Sequence, residues 1–577
     1  MAQEIHFEIF KRSGAKGYWT LHDVTNSRDG ALKTAETLMK EGGATGVKVM
    51  KETYNTDTGD FLTLKIFEEG HNKVKTKPEA EDVPHALPCF KPDDLYSYHA
   101  RATMARLLTD YLARQKLTVT ELIHRADALE KFEATGTLYQ HAIQKIAVAQ
   151  ASSTTTPVQQ IVKSLNELAT KAIHRVYRDA RRGAFAYIAS GEFAGLAAKL
   201  SSDGDGLYVL NGAIARHLAS AANWDEKLSR LLALIGEAQA AEEGDGRMLL
   251  LSATDSLIAE VLNGSAALHE LNQGAENLGQ ALVRLVELFL GKPVEGSGSL
   301  SILAAHFAKG ELASANTAIA NRILAELKSV KRLCPESLVD ELKMLRRIAN
   351  RLVLGQGKYL SHEDLIAAFT LRSKRIVTHE TIGAHLNESA AADEKLERLF
   401  LIEENIIGIE NKRYLASFVT PLLTSPVFET QFLFAKTPIL ARLTRLADLQ
   451  ARVLRSNFPE IQKREIADAL DKTACEAETR AKLLETVEAK AAGPVDKASA
   501  VLKLITSGAF TEGRLGAKAR DIVIGHLSRP GFLSGYLAQA MQGPKGEVPR
   551  ETAMNELMQT LERAGITPET GLRNIAA

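Results

Sequence analysis

The apolar residues of this chain change their period once, and that change limits the folds open to it. Over residues 1–70 they alternate with polar neighbours; from Asp93 onward they recur three and four apart. Alternation suits a strand with one buried face, and the longer period suits a helix with one buried stripe. A single sheet or a single bundle cannot satisfy both.

Ile5, Phe7 and Ile9 read as a first strand, Gly14 to Gly17 as a turn, and Tyr18 to Leu21 as a second strand. Ser27 suits a helix N-cap, and Ala31, Leu32, Ala35, Leu38 and Met39 share one helical face. Gly42-Gly43 ends that helix, Val47 and Val49 alternate again, Asn55 to Gly59 turns, and Phe61 to Phe67 is a last strand. Residues 1–70 are therefore expected to form a small ββαββ α+β domain. Residues 71–92 carry Pro78, Pro84, Pro88 and Pro92 without any period, and are expected to be a linker.

The remainder is expected to be helical, so the fold class is mainly α, a multi-helix array or bundle behind the α+β domain. Low aromatic content (6%), only 16 prolines and abundant Ala and Leu favour helix packing over sheets. At roughly 150 residues per domain, 577 residues suggest three or four domains. The expected divisions are a helical domain at 93–360, a helical segment at 361–425 with a winged-helix-like alternative, and a helical domain at 426–577. Thr156-Pro157, Ser361 to Asp364 and Thr567-Pro568 are expected helix starts; Gly291 before Pro293 is an expected stop. The patterns ending in Gly191, Gly310 and Gly508 look alike. Each reads as a helix end closed by a glycine, with an apolar residue two positions later.

Composition narrows the function. Lys plus Arg and Asp plus Glu both number 71, so no global field selects nucleic acid or anionic membrane. Cys89, Cys334 and Cys475 are too few and too dispersed for a disulfide framework or a cysteine zinc module. No apolar run approaches the ~18 residues of a membrane span, and the N-terminus has no secretory pattern. A cytoplasmic setting is expected, with no metal and no cofactor.

Catalytic templates fail one by one. His269-Glu270 and His362-Glu363 lack a second histidine at i+4. His379 and His385 are six apart, about 600° of rotation, so they cannot share a helical face. Gly355-Gln356-Gly357-Lys358 ends on Tyr359 where a phosphate loop needs a hydroxyl amino acid that holds magnesium. Asp203 to Gly206 starts like a calcium loop, but Leu207 and Ile214 occupy ligand positions. Gly296-Ser297-Gly298-Ser299 lacks the strand-to-helix setting of a nucleophile elbow.

Two segments have the helix-turn-helix pattern. The first, from Thr118, has only Lys145 within 137–149 to meet phosphates. The second runs from Thr378 to Asn405, with Ile406 to Ile409, Asn411-Lys412 and Tyr414 to Val419 as a small wing. Its last helix is acidic, which favours a protein partner over DNA.

Charge clusters remain. Lys171, Arg175, Arg178 and Arg182 form one helical stripe suited to phosphates, or simply to solvent. Residues 322–375 carry a net +6, including Arg346, Arg347 and Arg351; residues 380–410 carry a net −6, including Glu394, Glu397 and Glu404. Such segments suit docking on each other or on a second copy. The expected function is a non-enzymatic scaffold or regulatory protein acting through protein–protein contacts or self-association. The alternatives are a nucleic-acid or nucleotide binder using local basic helices, and a hydrolase whose site assembles from distant residues.

Overall fold

The computed structural model describes residues 3–12, 19–41, 44–55, 61–70, 87–152, 154–294, 297–355, 357, 359–541 and 549–570. The expected turns at 14–17, 42–43 and most of 55–59, and His71 to Ala86 of the expected linker, lie outside the described residues. The protein is mostly helical, with one small four-stranded antiparallel sheet near its N-terminus. Two compact units divide it. One comprises Met1–Pro88 with Ile143–Leu165, the other Cys89–Ala142 with Asn166–Ala577.

In the first unit, β1 (Gln3–Arg12), β2 (Trp19–Thr25), β3 (Gly46–Asn55) and β4 (Phe61–Gly70) align in the order β2-β1-β3-β4. The helix α1 (Arg28–Lys40) lies in sequence between β2 and β3. Ser27 caps α1, its hydroxyl accepting from Gly30 N at 3.2 Å. Phe7, Ile9, Val47 and Val49 face one side and bury against Ala31 and Ala35. That burial is what the alternating sequence provides.

In the second unit, a buried core runs without interruption from Phe193 to Ile566, and a smaller one gathers Leu108, Tyr111, Phe132, Val176 and Phe185. Among the described residues no helix is long and apolar enough to cross a membrane. The cap expected at Ser361 is present, its hydroxyl accepting from Asp364 N, and Thr378 caps the next helix in the same way through Thr381 N. The segment 361–425 is wholly helical, and the expected wing is not there. Ile409–Leu423 is a helix, entered through Gly408 at φ +101°. Asn411, expected in the wing, lies in its first turn, its Nδ2 donating to Thr370 O (2.9 Å) and Ile407 O (2.7 Å). A side-chain amide that holds a neighbouring helix from inside a first turn has the same sequence signature as a polar turn residue.

Gly310 and Gly508 close helices as expected, with φ of +73° and +74°, after Gly298–Ala308 and Pro494–Thr506. Gly191 does not: residues 186–189 are not helical, and the glycine at φ +98° leads into Phe193–Leu200 instead. All three positions nevertheless share one device. The helix that follows has backbone N–H groups at or near its start bound by a carboxylate from a different helix. Glu237 takes Gly191 N (3.0 Å) and Ala194 N (2.7 Å). Asp255 takes Ser314 N (2.8 Å) and Ala315 N (2.9 Å), at the start of Ala313–Leu327. Asp471 takes Arg514 N (2.7 Å) and Leu515 N (3.3 Å), at the start of Arg514–Leu527, and also the Thr511 hydroxyl (2.6 Å). Each carboxylate satisfies orphan amides and favours the positive helix end.

Candidate functional site

Two adjoining clefts lie beside the start of the helix Leu278–Phe289. Asn277 caps that helix, its Oδ1 accepting from Gln280 N at 2.9 Å, and it lines both clefts. Gly279 N donates to Leu333 O at 2.9 Å, which lays the segment 328–337 across the helix start. A Cβ at Gly279 would stand 2.7 Å from Met344 Cγ and 3.2 Å from Leu333 O, so glycine is what lets the segment approach.

The first cleft, about 470 Å³, is walled by Leu268, Leu278 and Leu285, with His269, Asn272, Arg322, Glu326 and Lys331 around them. Arg372 fixes its rim from below. This guanidinium is 1% exposed, donates to Glu326 O at 2.6 Å and also holds Lys331 O. Arg284 holds the opposite lip, donating to Gln273 O (2.9 Å) and Asn272 O (3.3 Å). The second cleft, about 490 Å³, is lined by Cys334, Pro335, Asp340, Lys343, Met344 and Arg347. Burial, and then the Glu341 charge, push the Cys334 thiol above its ordinary range, so it stays protonated at neutral pH and is a poor nucleophile. Among the described residues no group of three or more His, Cys, Asp or Glu is placed to hold a metal ion.

The charged residues singled out in the sequence separate into paired and unpaired sets. Arg175 meets Asp93 (2.5 Å), Asp205 (2.8 Å) and Asp179 (3.6 Å), and lies over the Tyr208 ring at 4.0 Å. Arg178 is exposed and bonds Asp179 at 2.9 Å. Lys171 and Arg182 are exposed. Glu397 faces Arg445 (3.1 Å) and Arg452, Glu404 faces Arg452 (2.9 Å), and neighbouring Asp393 faces Arg445 (2.9 Å). The acidic row of Ala392–Asn405 is thus met by the helix Ile439–Arg455. Glu394 is exposed and accepts from the Ser389 hydroxyl. Arg351 pairs with Glu287 at 3.0 Å. Arg346 and Arg347 are exposed, and among the described residues neither has an ion-pair partner. Basic and acidic segments therefore do not meet through the residues named for them. Asn272 and Asn277 of the clefts were not anticipated; Arg322 and Lys331 were visible only as part of the net +6 segment.

A second polar cluster is closed. His124 is 2% exposed, its Nδ1 bonds Thr120 O at 2.8 Å, and Tyr96 and Tyr208 pack on its ring with centroids 5.1 and 5.2 Å away. Beside it, Arg101 binds Glu260 at 2.5 Å, and Lys227 binds fully buried Glu121 at 2.6 Å. The two ion pairs tie the helices Val119–His124, Trp224–Ala240 and Asp245–Asn263 together, while His124 Nε2 has no hydrogen-bond partner among the described residues.

No protein-family model matches the chain, and neither a curated protein nor a solved structure matches it.

Proposed function

We propose that the chain is a non-enzymatic scaffold or regulatory protein that docks an acidic segment of a partner protein on the outward face of Leu338–Val353. The observation that carries the reading is the state of Arg346 and Arg347. They are exposed without an ion-pair partner among the described residues, while the acidic row expected to meet them is occupied by Arg445 and Arg452. The basic face is left for an external anion. Lys343 extends it at one end. At the other, Val353 and Leu354 are 61% and 75% exposed, so the fitting partner combines carboxylates with apolar side chains. The ββαββ unit serves in this reading as a separate module, and three unpaired cysteines suit a cytoplasmic setting. The nucleic-acid reading has less support, because Arg175 and Arg178, half of its stripe, already hold aspartates.

The test is capture from native lysate by the wild-type chain and by the double variant Arg346→Glu/Arg347→Glu. The variant is expected to keep the far-ultraviolet circular dichroism spectrum and to weaken capture of a stoichiometric protein at least about tenfold at low salt, since reversed charges repel an acidic partner. Equal capture by both proteins refutes the docking face.

A further inference from the structure

Two residues that line the first cleft beside Leu278–Phe289 each carry a covered polar atom, of opposite kind, with no hydrogen-bond partner among the described residues. Asn272 is 9% exposed, lines the cleft, and its Oδ1 accepts no hydrogen bond from the described residues. Arg322 lines the same cleft; Glu326 fixes one end of its guanidinium at 2.6 Å, and its Nε has no acceptor among the described residues. Unpaired groups of this kind are uncommon in folded interiors and are expensive to keep. One is an acceptor without a donor, the other a donor without an acceptor.

An anion answers Arg322 but not Asn272, and a cation does the reverse. A molecule that carries both charges a few bonds apart answers both. We infer that this cleft binds a small zwitterion with an apolar side chain, the chemistry of a free aliphatic or aromatic α-amino acid. Its carboxylate lies toward Arg322 and the exposed Lys331 ammonium. Its ammonium donates to Asn272 and to the Glu326 carboxylate. The side chain rests on the wall of Leu268, Leu278 and Leu285. The volume, about 470 Å³, is within the range of about 300–1,000 Å³ typical of small-molecule sites. The rim is held before any ligand arrives, because Arg372 anchors the backbone of Glu326 and Lys331. Held geometry of this sort lowers the ordering cost of binding. Both atoms are covered in the unliganded chain, so the ligand requires the Asn272 and Arg322 side chains to turn toward the cleft.

The experiment is calorimetric titration and thermal-shift measurement on the full chain. Leucine is the first probe, followed by valine, methionine and phenylalanine. Two truncated analogues accompany them: 3-methylbutylamine, which lacks the carboxylate, and N-acetyl-leucine, which lacks the ammonium. Inorganic phosphate is the control for a plain anion site. At least one amino acid is expected to bind saturably, with both analogues weaker by at least about tenfold. Lys331→Met changes an exposed side chain and leaves the fold intact; it is expected to weaken amino-acid binding about tenfold. Asn272→Leu is expected to abolish it, and if that variant does not fold, Lys331→Met decides. Arg346→Glu/Arg347→Glu is expected to leave the affinity unchanged, which separates this site from the docking face. Three results overturn the inference: no amino acid binds, phosphate or N-acetyl-leucine binds as tightly as the amino acid, or the Lys331→Met protein binds it as the wild type does.

Discussion

His124 links the charge of one ring to the packing of the helices around it. Its Nδ1 faces a carbonyl, which can only accept, so Nδ1 carries the proton and Nε2 has no partner among the described residues. Burial holds its pKa down to about 3, against an ordinary 6.5; the Thr120 bond opposes the shift, and the Arg101 and Arg175 charges add to it. Below 6.5 the unfolded chain binds a proton that the folded chain refuses. Stability contributed by this site is therefore full above pH 6.5 and falls as the pH drops toward 3. Worked from those two values, the loss is about 2 kcal/mol at pH 5 and approaches about 5 kcal/mol below pH 3. His124→Phe places an untitratable ring among Tyr96, Phe185 and Tyr208 and removes the dependence, at the expense of the Thr120 bond. Of the two tryptophans, Trp224 is buried next to Lys227, so a Trp19→Phe background makes fluorescence report on this region. Urea unfolding at pH 7 and pH 5 should show the wild type losing about 2 kcal/mol more than the variant. The same pH response in both proteins would refute a neutral, buried His124.

Lys227→Met leaves fully buried Glu121 with Arg125, at 3.5 Å, as its remaining nearby cation, and should cost about 3–5 kcal/mol in urea unfolding. Adding Glu121→Gln should recover part of that loss, and no recovery would mean that the pair contributes by packing alone. Asp471→Ala strips two helix-start amides and the Thr511 hydroxyl of their acceptor and should cost about 2–3 kcal/mol; a loss within about 0.5 kcal/mol would show that water replaces the carboxylate.

What could be read in advance was local. Ser27 and Ser361 cap helices because each hydroxyl reaches an amide three residues on, and that spacing is written in consecutive residues. The alternation of Phe7 with Ile9 and of Val47 with Val49 likewise needs no distant partner to declare a buried face. Reading failed where the partner is far along the chain. Arg175 looked like part of a free basic stripe because Asp93 stands 82 residues before it. Glu404 looked available because Arg452 lies 48 residues after it. Gly191 looked like a helix end because local sequence cannot distinguish a glycine that closes one helix from a glycine that opens the next. The clefts were hidden for the same reason: Asn272, Arg322 and Lys331 converge only after three helices and a crossing segment have packed.

The carboxylate-bound helix starts bear on how the protein is made. A ribosome delivers the chain from the N-terminus, and a helix as short as Phe193–Leu200 does not persist alone in water. Asp255 and Asp471 emerge before the amides of Ser314 and Arg514 that they will hold, so those two helices start against a receptor already present. Glu237 follows Ala194 by 43 residues, so Phe193–Leu200 must wait for a carboxylate not yet synthesised. At about 5–20 residues per second that delay is a few seconds. During it, the apolar face of Phe193 and Ala197, buried in the finished protein, has no cover. Of these three helices, Phe193–Leu200 is the one left uncovered while residues 193 to 237 are made, and a pause there would lengthen the exposure.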